Sequence, residues 1–398
     1  MRSSDLGIYV HVPYCRRRCP YCDFALTPVD AAGAPSAAFA DAVISEIERV
    51  ANGESIGGHD ITAAFAGRPA ATVFFGGGTP SLLEPKDVAR ILAAIDRRWP
   101  ITKDAEITME ANPEDADARF AGFRAAGATR LSLGVQSFDD GILSSLGREH
   151  DALQAARSVA VARDAGFAEI GVDLIFGAEK MSLARWESAL TRVIELGPTH
   201  VSCYGLTLER GTALTRAVAK GALTLPDDDA QADQYQAAVD RLGAAGLPRY
   251  EISNFAAPGS RSRHNLLYWR YQEWLGIGPS SHSFARVAPD GSPAAGGLRF
   301  WNGKNPFRYV RDRLPDRSGH ELTTGRIAMG ELAFTSLRLV EGLCLSEFEE
   351  VFATTVAAVF GPTIETLVSS GLLVREPDRL RLTDRGFLLS DAVFAQLV

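Results

Sequence analysis

Short β-rich runs and amphipathic helical runs alternate six times over the first half of the chain, and few architectures accommodate that alternation. The periodicity predicts strands over residues 7–12, 71–75, 106–109, 129–135, 169–174 and 200–204. Helical spacing predicts helices over 35–50, 85–99, 116–126, 139–146, 153–165 and 183–196. Such repetition demands parallel strands with helices outside, hence an α/β class. An open sheet and a barrel satisfy the pattern equally. The polar and glycine-rich segments all fall at or just after strand ends. That favours a partial barrel of six β/α units, because barrels build their sites from strand-to-helix loops. The stretch 53–69 reads as a loop.

Beyond Tyr204 the pattern becomes irregular. A long helix is expected over 227–245, an extended segment over 250–255, a tight glycine-rich loop over 276–283 and a surface excursion over 287–297. Helices then return over 327–339, 345–352 and 359–369. A small hairpin follows at 372–374 and 380–382, turning at Glu376-Pro377-Asp378, and a last helix covers 383–396. Helices, hairpin and helix together make a winged-helix-like unit. The expected division is 1–290 for the barrel with its extension and 291–398 for the carboxyl-terminal domain.

Composition narrows the function classes. With 398 residues, 46% of them hydrophobic and a formal net charge of -8, the chain reads as globular and lacks the basic footprint of a nucleic-acid binder. No apolar run nears the ~20 residues of a membrane span. The opening Met1-Arg2-Ser3-Ser4-Asp5-Leu6-Gly7 has no signal-peptide core, and cysteines are few, which points to a reducing cytoplasm.

Three of the five cysteines fall in Cys15-Arg16-Arg17-Arg18-Cys19-Pro20-Tyr21-Cys22. Thiolates at this spacing can wrap an iron–sulfur cluster. A zinc site would want a fourth ligand, and position 24 is Phe24; a disulfide cannot use an odd triplet. The three arginines are expected to lower the thiol pKa values and offset cluster charge, or simply to form a solvated basic loop. Gly76-Gly77-Gly78-Thr79-Pro80-Ser81 follows a buried strand and allows close ligand approach, or merely a tight turn. It matches neither a dinucleotide fingerprint nor a P-loop. Glu110, Gln136, Arg148 and Asp173 stand at or beyond strand ends, where hydrogen bonding to a ligand competes with ordinary capping and pairing. On a helix His264 and Tyr268 would share a face. An imidazole can ligate haem iron and aromatic rings can cover a macrocycle, though such residues more commonly pack.

The ordered set Tyr9-x-His11-x-Pro13-x-Cys15-x3-Cys19-x-Tyr21-Cys22, Gly76 to Ser81, Glu110-x-Asn112-Pro113, Gly134-Val135-Gln136, Leu146-Gly147-Arg148, Asp173 to Gly177 and His264 to Trp269 resembles the radical S-adenosylmethionine (SAM) proteins. Within them it is similar to the haem-chaperone group related to oxygen-independent coproporphyrinogen III oxidase. The resemblance implies a [4Fe-4S] cluster on Cys15, Cys19 and Cys22. It implies SAM contacts from Tyr9, Tyr21, Gly77, Gly78, Thr79, Glu110, Gln136, Arg148 and Asp173. It implies haem contacts from the His-Asn-x-x-Tyr-Trp motif: His264, Asn265, Tyr268 and Trp269. The partners implied are haem and recipient haemoproteins, such as respiratory enzymes and membrane-associated ones, with a homodimer also in view. Phe24, where the oxidase carries a further cysteine, and only eight residues before Tyr9 favour the chaperone over coproporphyrinogen oxidation, with a radical methyl transfer left as a further alternative. Two departures stand out. Ala178-Glu179-Lys180-Met181 replaces the group's usual Leu-Pro-Gly-Gln, and Ser262 stands where many members carry cysteine.

Overall fold

The computed structural model describes residues 5–29, 33–287, 293–313 and 316–398. Its centre is an eleven-stranded sheet. The first six strands are β1 (Leu6–Val12), β2 (Ala70–Gly77), β3 (Ile101–Ala111), β4 (Arg130–Gln136), β5 (Glu169–Phe176) and β6 (His200–Gly205). They pair in chain order, all parallel. Helices Ser36–Ala51, Pro85–Arg98, Ala118–Ala126, Ala152–Asp164 and Leu183–Leu196 return the chain between them. This is the partial six-unit barrel that the alternation predicts. In β1, Leu6, Ile8, Val10 and Val12 are fully buried, while Tyr9 on the other face is only half-buried. Period-two alternation thus sends Gly7, Tyr9 and His11 toward the barrel interior.

The remaining strands are β7 (Asn254–Ala256), β8 (Trp274–Ile277), β9 (His282–Val287), β10 (Pro293–Asn302) and β11 (Arg317–Thr323). β7 lies antiparallel on β6, and β8 lies parallel beside β1. The expected loop over 276–283 is therefore corrected: its start is sheet, and the turn is confined to the residues between β8 and β9. Glycine misled the reading. A Cβ on Gly278, which has φ +99, would come 2.5 Å from the His11 carbonyl oxygen, so glycine there answers a close backbone approach.

The stretch 53–69 is also corrected. It holds a hairpin, Ser55–Ile56 with His59–Asp60, and the helix Ile61–Phe65 capped by Asp60. Elements this short have no periodicity to detect. The expected division at 290/291 and part of the expected excursion lie outside the described residues, and the sheet continues to Thr323 on the far side.

A buried polar knot ties these late strands to the barrel. Glu46, fully buried on helix Ser36–Ala51, accepts from Gly278 N (2.8 Å), Asn302 Nδ2 (2.7 Å), Tyr309 Oη (2.7 Å) and Arg317 Nη1 (2.8 Å). Four donors make a buried carboxylate tolerable where an unpaired one would be expelled.

From Gly325 the chain forms helices Gly325–Leu337, Leu345–Phe352 and Val356–Ser369 and a three-stranded sheet of Leu343–Cys344, Arg379–Leu382 and Leu373–Glu376. Two short helices, Asp384–Leu388 and Ser390–Phe394, take the place of the single last helix expected over 383–396. The unit is anchored by Glu331, which accepts from Arg299 of β10 (2.9 Å) and from Tyr271 (2.9 Å).

Candidate functional site

Among the described residues, a larger and a smaller cavity lie within the barrel. The larger, about 430 Å³, opens at the carboxyl ends of the strands. The cysteine loop forms one wall. It leaves β1 at Pro13 and returns to pair Thr27–Pro28 with Tyr14–Cys15. Thr27 N donates to Pro13 O (2.6 Å) and Val29 N to Cys15 O (2.8 Å). His11 Nε2 bonds Ala25 O (3.2 Å), and Tyr9 Oη bonds His11 Nδ1 (3.1 Å). Since a carbonyl only accepts, Nε2 carries the proton and Nδ1 accepts from the tyrosine. The loop is therefore braced from inside the barrel.

Cys15, Cys19 and Cys22 all line this cavity. Among the described residues no group of three His, Cys, Asp or Glu side chains is gathered to hold a metal ion. Thr79 Oγ1 points at Cys15 Sγ (3.4 Å) and Arg148 Nη1 at Cys19 Sγ (3.7 Å). The arginines between the thiols are occupied elsewhere. Arg16 pairs with buried Asp115 (2.6 Å), Arg17 reaches Glu149 (3.9 Å), and Arg18 donates to the carbonyls of Cys22, Phe24 and Leu26. The expected lowering of thiol pKa is present but outweighed: burial pushes Cys15 up to about 11 and raises Cys22, even though the Arg18 charge pulls Cys22 down. Arg16 and Arg18 work as braces for the loop.

Beside the start of the cysteine loop runs the glycine segment. Gly78 N donates to Val12 O and Thr79 N to Tyr14 O (both 2.7 Å). A Cβ on Gly78 would meet Tyr14 O at 2.5 Å. Gly77, at φ +113, gives its N–H to Glu110 Oε2 (3.1 Å). Tyr21, Gln136, Arg148, Glu110 and Asp173 also line this cavity. Arg148 donates to Gly134 O (3.0 Å) and to Asn112 Oδ1. Its buried Nε and the buried Gln136 Oε1 have no protein partner. Gln136 holds φ +67, a strained value for a side-chain-bearing residue. Such orphaned atoms beside three thiols are what a cavity shaped for a bound group should show. Thiol donors, bare glycine backbone and polar groups without partners fit an iron–sulfur cluster with a small polar ligand against it.

The second cavity, about 190 Å³, lies deeper in the barrel. Glu110, Ser132, Asp173 and Tyr204 border both cavities. Burial and the neighbouring Asp173 carboxylate push Glu110 to about 8. Asp173 is raised as well by burial, though Ser132 Oγ donates to it (3.2 Å). Tyr9, an expected SAM contact, lines only this deeper chamber.

Helix Arg263–Trp269 closes the chamber at the amino-terminal ends of the strands. Its start is clamped. Glu106 of β3 accepts from His264 N (3.0 Å), Arg263 N (3.1 Å) and Arg130 Nε (3.1 Å), and Ser262 caps Asn265 N. The expectation of a haem-iron ligand at His264 meets a plain obstacle. His264 is 1% exposed, with Nδ1 on Thr72 Oγ1 (2.7 Å) and Nε2 on Tyr268 Oη (2.8 Å). Burial lowers its pKa to about 3, so the ring is neutral. Asn265 and Tyr268 border the chamber, while Trp269 lines neither cavity and packs under Arg338, 4.3 Å from its ring. Sequence reasoning missed Glu106, Arg130 and Thr72, and gave His11 a place in the motif without a role. A charge at the start of an apolar strand, as at Arg130, was the available signal.

Residues 9–193 match the Radical SAM superfamily model and residues 325–389 the HemN C-terminal domain model. The heme chaperone HemW of Mycobacterium tuberculosis is 36% identical over 405 residues, covering 100% of this chain and 96% of the relative. HemW of Escherichia coli is 32% identical, covering 99% and 98%. The solved structure of the Escherichia coli radical SAM coproporphyrinogen III oxidase HemN superposes with a TM-score of 0.80 at 23% identity, covering 100% of this chain and 91% of that one, and so confirms the fold. The chain belongs to the HemW family of the radical SAM superfamily.

Proposed function

We propose that the protein is a haem chaperone that binds haem and passes it to recipient haemoproteins. The observation carrying this reading is the match to HemW proteins along the whole chain. Cys15, Cys19 and Cys22 would hold a [4Fe-4S] cluster. When bound, it supplies an iron without protein sulfur and an electron. The backbone of Gly77 to Thr79 would border SAM on the side facing Glu110, with Arg148 and Gln136 presenting their unpartnered atoms to it. Arg suits the carboxylate of such a ligand, and protonated Glu110 can donate a hydrogen bond to it. Phe24, where the oxidase has a further sulfur, is 58% exposed at the cavity. That supports the chaperone over coproporphyrinogen oxidation, and nothing at the site favours methyl transfer. Among the described residues no helix is long and apolar enough to cross a membrane.

The deciding experiment is anaerobic. The reconstituted protein is loaded with haem and mixed with an apo-haemoprotein, and the Soret band is followed. Transfer of haem without conversion of coproporphyrinogen III in a parallel incubation is the expected result. Protoporphyrinogen formation would replace the chaperone reading with the oxidase.

A further inference from the structure

The helix carrying the His-Asn-x-x-Tyr-Trp motif has been built into the barrel as a floor. Three independent features say so. Both nitrogens of the His264 ring are spent, on Thr72 and Tyr268, and iron coordination needs a free lone pair. The ring is stacked on Phe74, 5.1 Å between centroids at 29°, with Tyr9 at 6.3 Å, so its faces are covered by protein. The chamber beside it, at about 190 Å³, falls below the range of ~300–1,000 Å³ that ligand pockets occupy.

The chamber is nevertheless polar. Thr108 Oγ1 is buried without a protein partner and borders it, as do Ser202 and His200. A polar space of this size has room for several water molecules, each taking about 30 Å³ of liquid volume. One end of that space is the Tyr268 hydroxyl; the other is the Glu110 and Asp173 pair shared with the thiol cavity. Tyr268 is held from two sides, by His264 Nε2 and edge-on by Trp274, 4.6 Å between centroids at 81°.

We propose that His264 is a positioning residue that aims the Tyr268 hydroxyl into this chamber beneath Glu110 and Asp173, and that it does not ligate haem iron. Through the water it borders, Tyr268 then biases the carboxylates that face SAM. The haem part of this inference rests on the chaperone reading; the SAM part does not.

The test uses the full-length protein with its cluster reconstituted. SAM dissociation constants are measured across pH 6–9 for wild type, His264→Gln, Tyr268→Phe and the double variant, and haem complexes are read by Soret band and ferric electron paramagnetic resonance. Tyr268→Phe is expected to weaken SAM about fivefold and to move the midpoint of its pH profile. His264→Gln should move both in the same direction. The double variant should be no worse than Tyr268→Phe alone, since one residue acts through the other. The haem spectra should match wild type in His264→Gln. Loss of an axial-histidine signature in that variant overturns the inference. So does a SAM constant within twofold of wild type in Tyr268→Phe, a result that stands even where His264→Gln fails to fold. Absence of haem binding in wild type would instead sink the chaperone reading, leaving the SAM arm to decide this one.

Discussion

The two ends of the barrel are built on opposite terms. At the carboxyl end, buried polar atoms wait for partners: Gln136 Oε1 and Arg148 Nε have none, and the three thiols line an open cavity, with Thr79 on Cys15 and Arg148 and Tyr21 on Cys19. At the amino end the clamp on the floor helix is paired, although Thr108 Oγ1 in the chamber and Trp269 Nε1 behind the helix are buried without partners. Glu106 takes three donors, Arg130 reaches Glu106 and Ser260 O, and His264 uses both nitrogens. Buried groups left open mark a place where something binds, whereas saturated ones mark a place that holds the scaffold shut.

The largest expected effect is at the open end. Cys22→Ala removes one of three thiols from a site with no fourth, so anaerobic reconstitution should leave iron and sulfide near background, while far-ultraviolet circular dichroism stays that of wild type. Retention of a full cluster would mean that the thiols are not the ligands, and the contrast between the two ends would go with it.

At the closed end the effect moves from loading to stability. Glu106→Ala removes the acceptor for the first two N–H groups of helix Arg263–Trp269 and leaves Arg130 buried at 4% exposure, with Glu169 at 3.6 Å for charge compensation. Breaking a buried pair costs about 3–5 kcal/mol. Urea unfolding should show that loss with cluster content per folded molecule unchanged. A change below about 1 kcal/mol, the scale of an ordinary surface substitution, would mean that the clamp is not a clamp.

How far these two ends could be read from residues differs in the same way. The six parallel strands, the thiols and the glycine turn were legible, because alternation and spacing are local signals that a scaffold and a cluster both require. Tyr9 was partly legible: with Gly7 and His11 it alternates against Leu6, Ile8, Val10 and Val12, which already places it inside the barrel, away from the loop that follows β1. The role of His264 was not legible. Helical spacing pairs it with Tyr268, but Thr72 lies 192 residues earlier and Glu106 158 residues earlier, and no local pattern announces such partners. The same holds for Glu46, whose knot with Arg317 spans 271 residues.

The wall between the two cavities offers a subtler test. In the protein free of cluster and SAM, Glu110 sits at about 8 against 4.5 for an ordinary glutamate. The folded state therefore binds the extra proton between those values. Stability contributed by that proton is present below about 4.5 and is lost as pH rises through 8, at up to about 1.4 kcal/mol per pH unit. His264 works in the opposite direction at lower pH: held near 3 in the fold, it resists a proton that the unfolded chain takes up below 6.5, so stability falls as pH drops through that window. Glu110→Gln should flatten the decline between pH 6 and 8 in urea titrations and leave the acid limb in place. An unchanged slope above pH 6 would show that the shared wall carries no excess proton.

The smallest effect sits on the outer side of the floor helix and bears on what the motif is for. Trp269 Nε1 is buried without a partner, an arrangement that costs about 1–3 kcal/mol. Against that stands the Arg338 guanidinium over its ring, a contact contributing about 0.5–2 kcal/mol. Trp269→Phe removes the orphaned donor but exchanges the indole for a smaller ring that holds the Arg338 guanidinium less well, so the gain and the loss nearly cancel. Stability should stay within about 1 kcal/mol of wild type, the balance of those two contributions. Haem affinity should stay within twofold, because Trp269 lines neither cavity and its ring is already covered by the carboxyl-terminal unit. A tenfold loss of haem affinity at unchanged stability would place haem on this outer face, between the floor helix and Arg338, and would separate the haem contact from the barrel interior altogether.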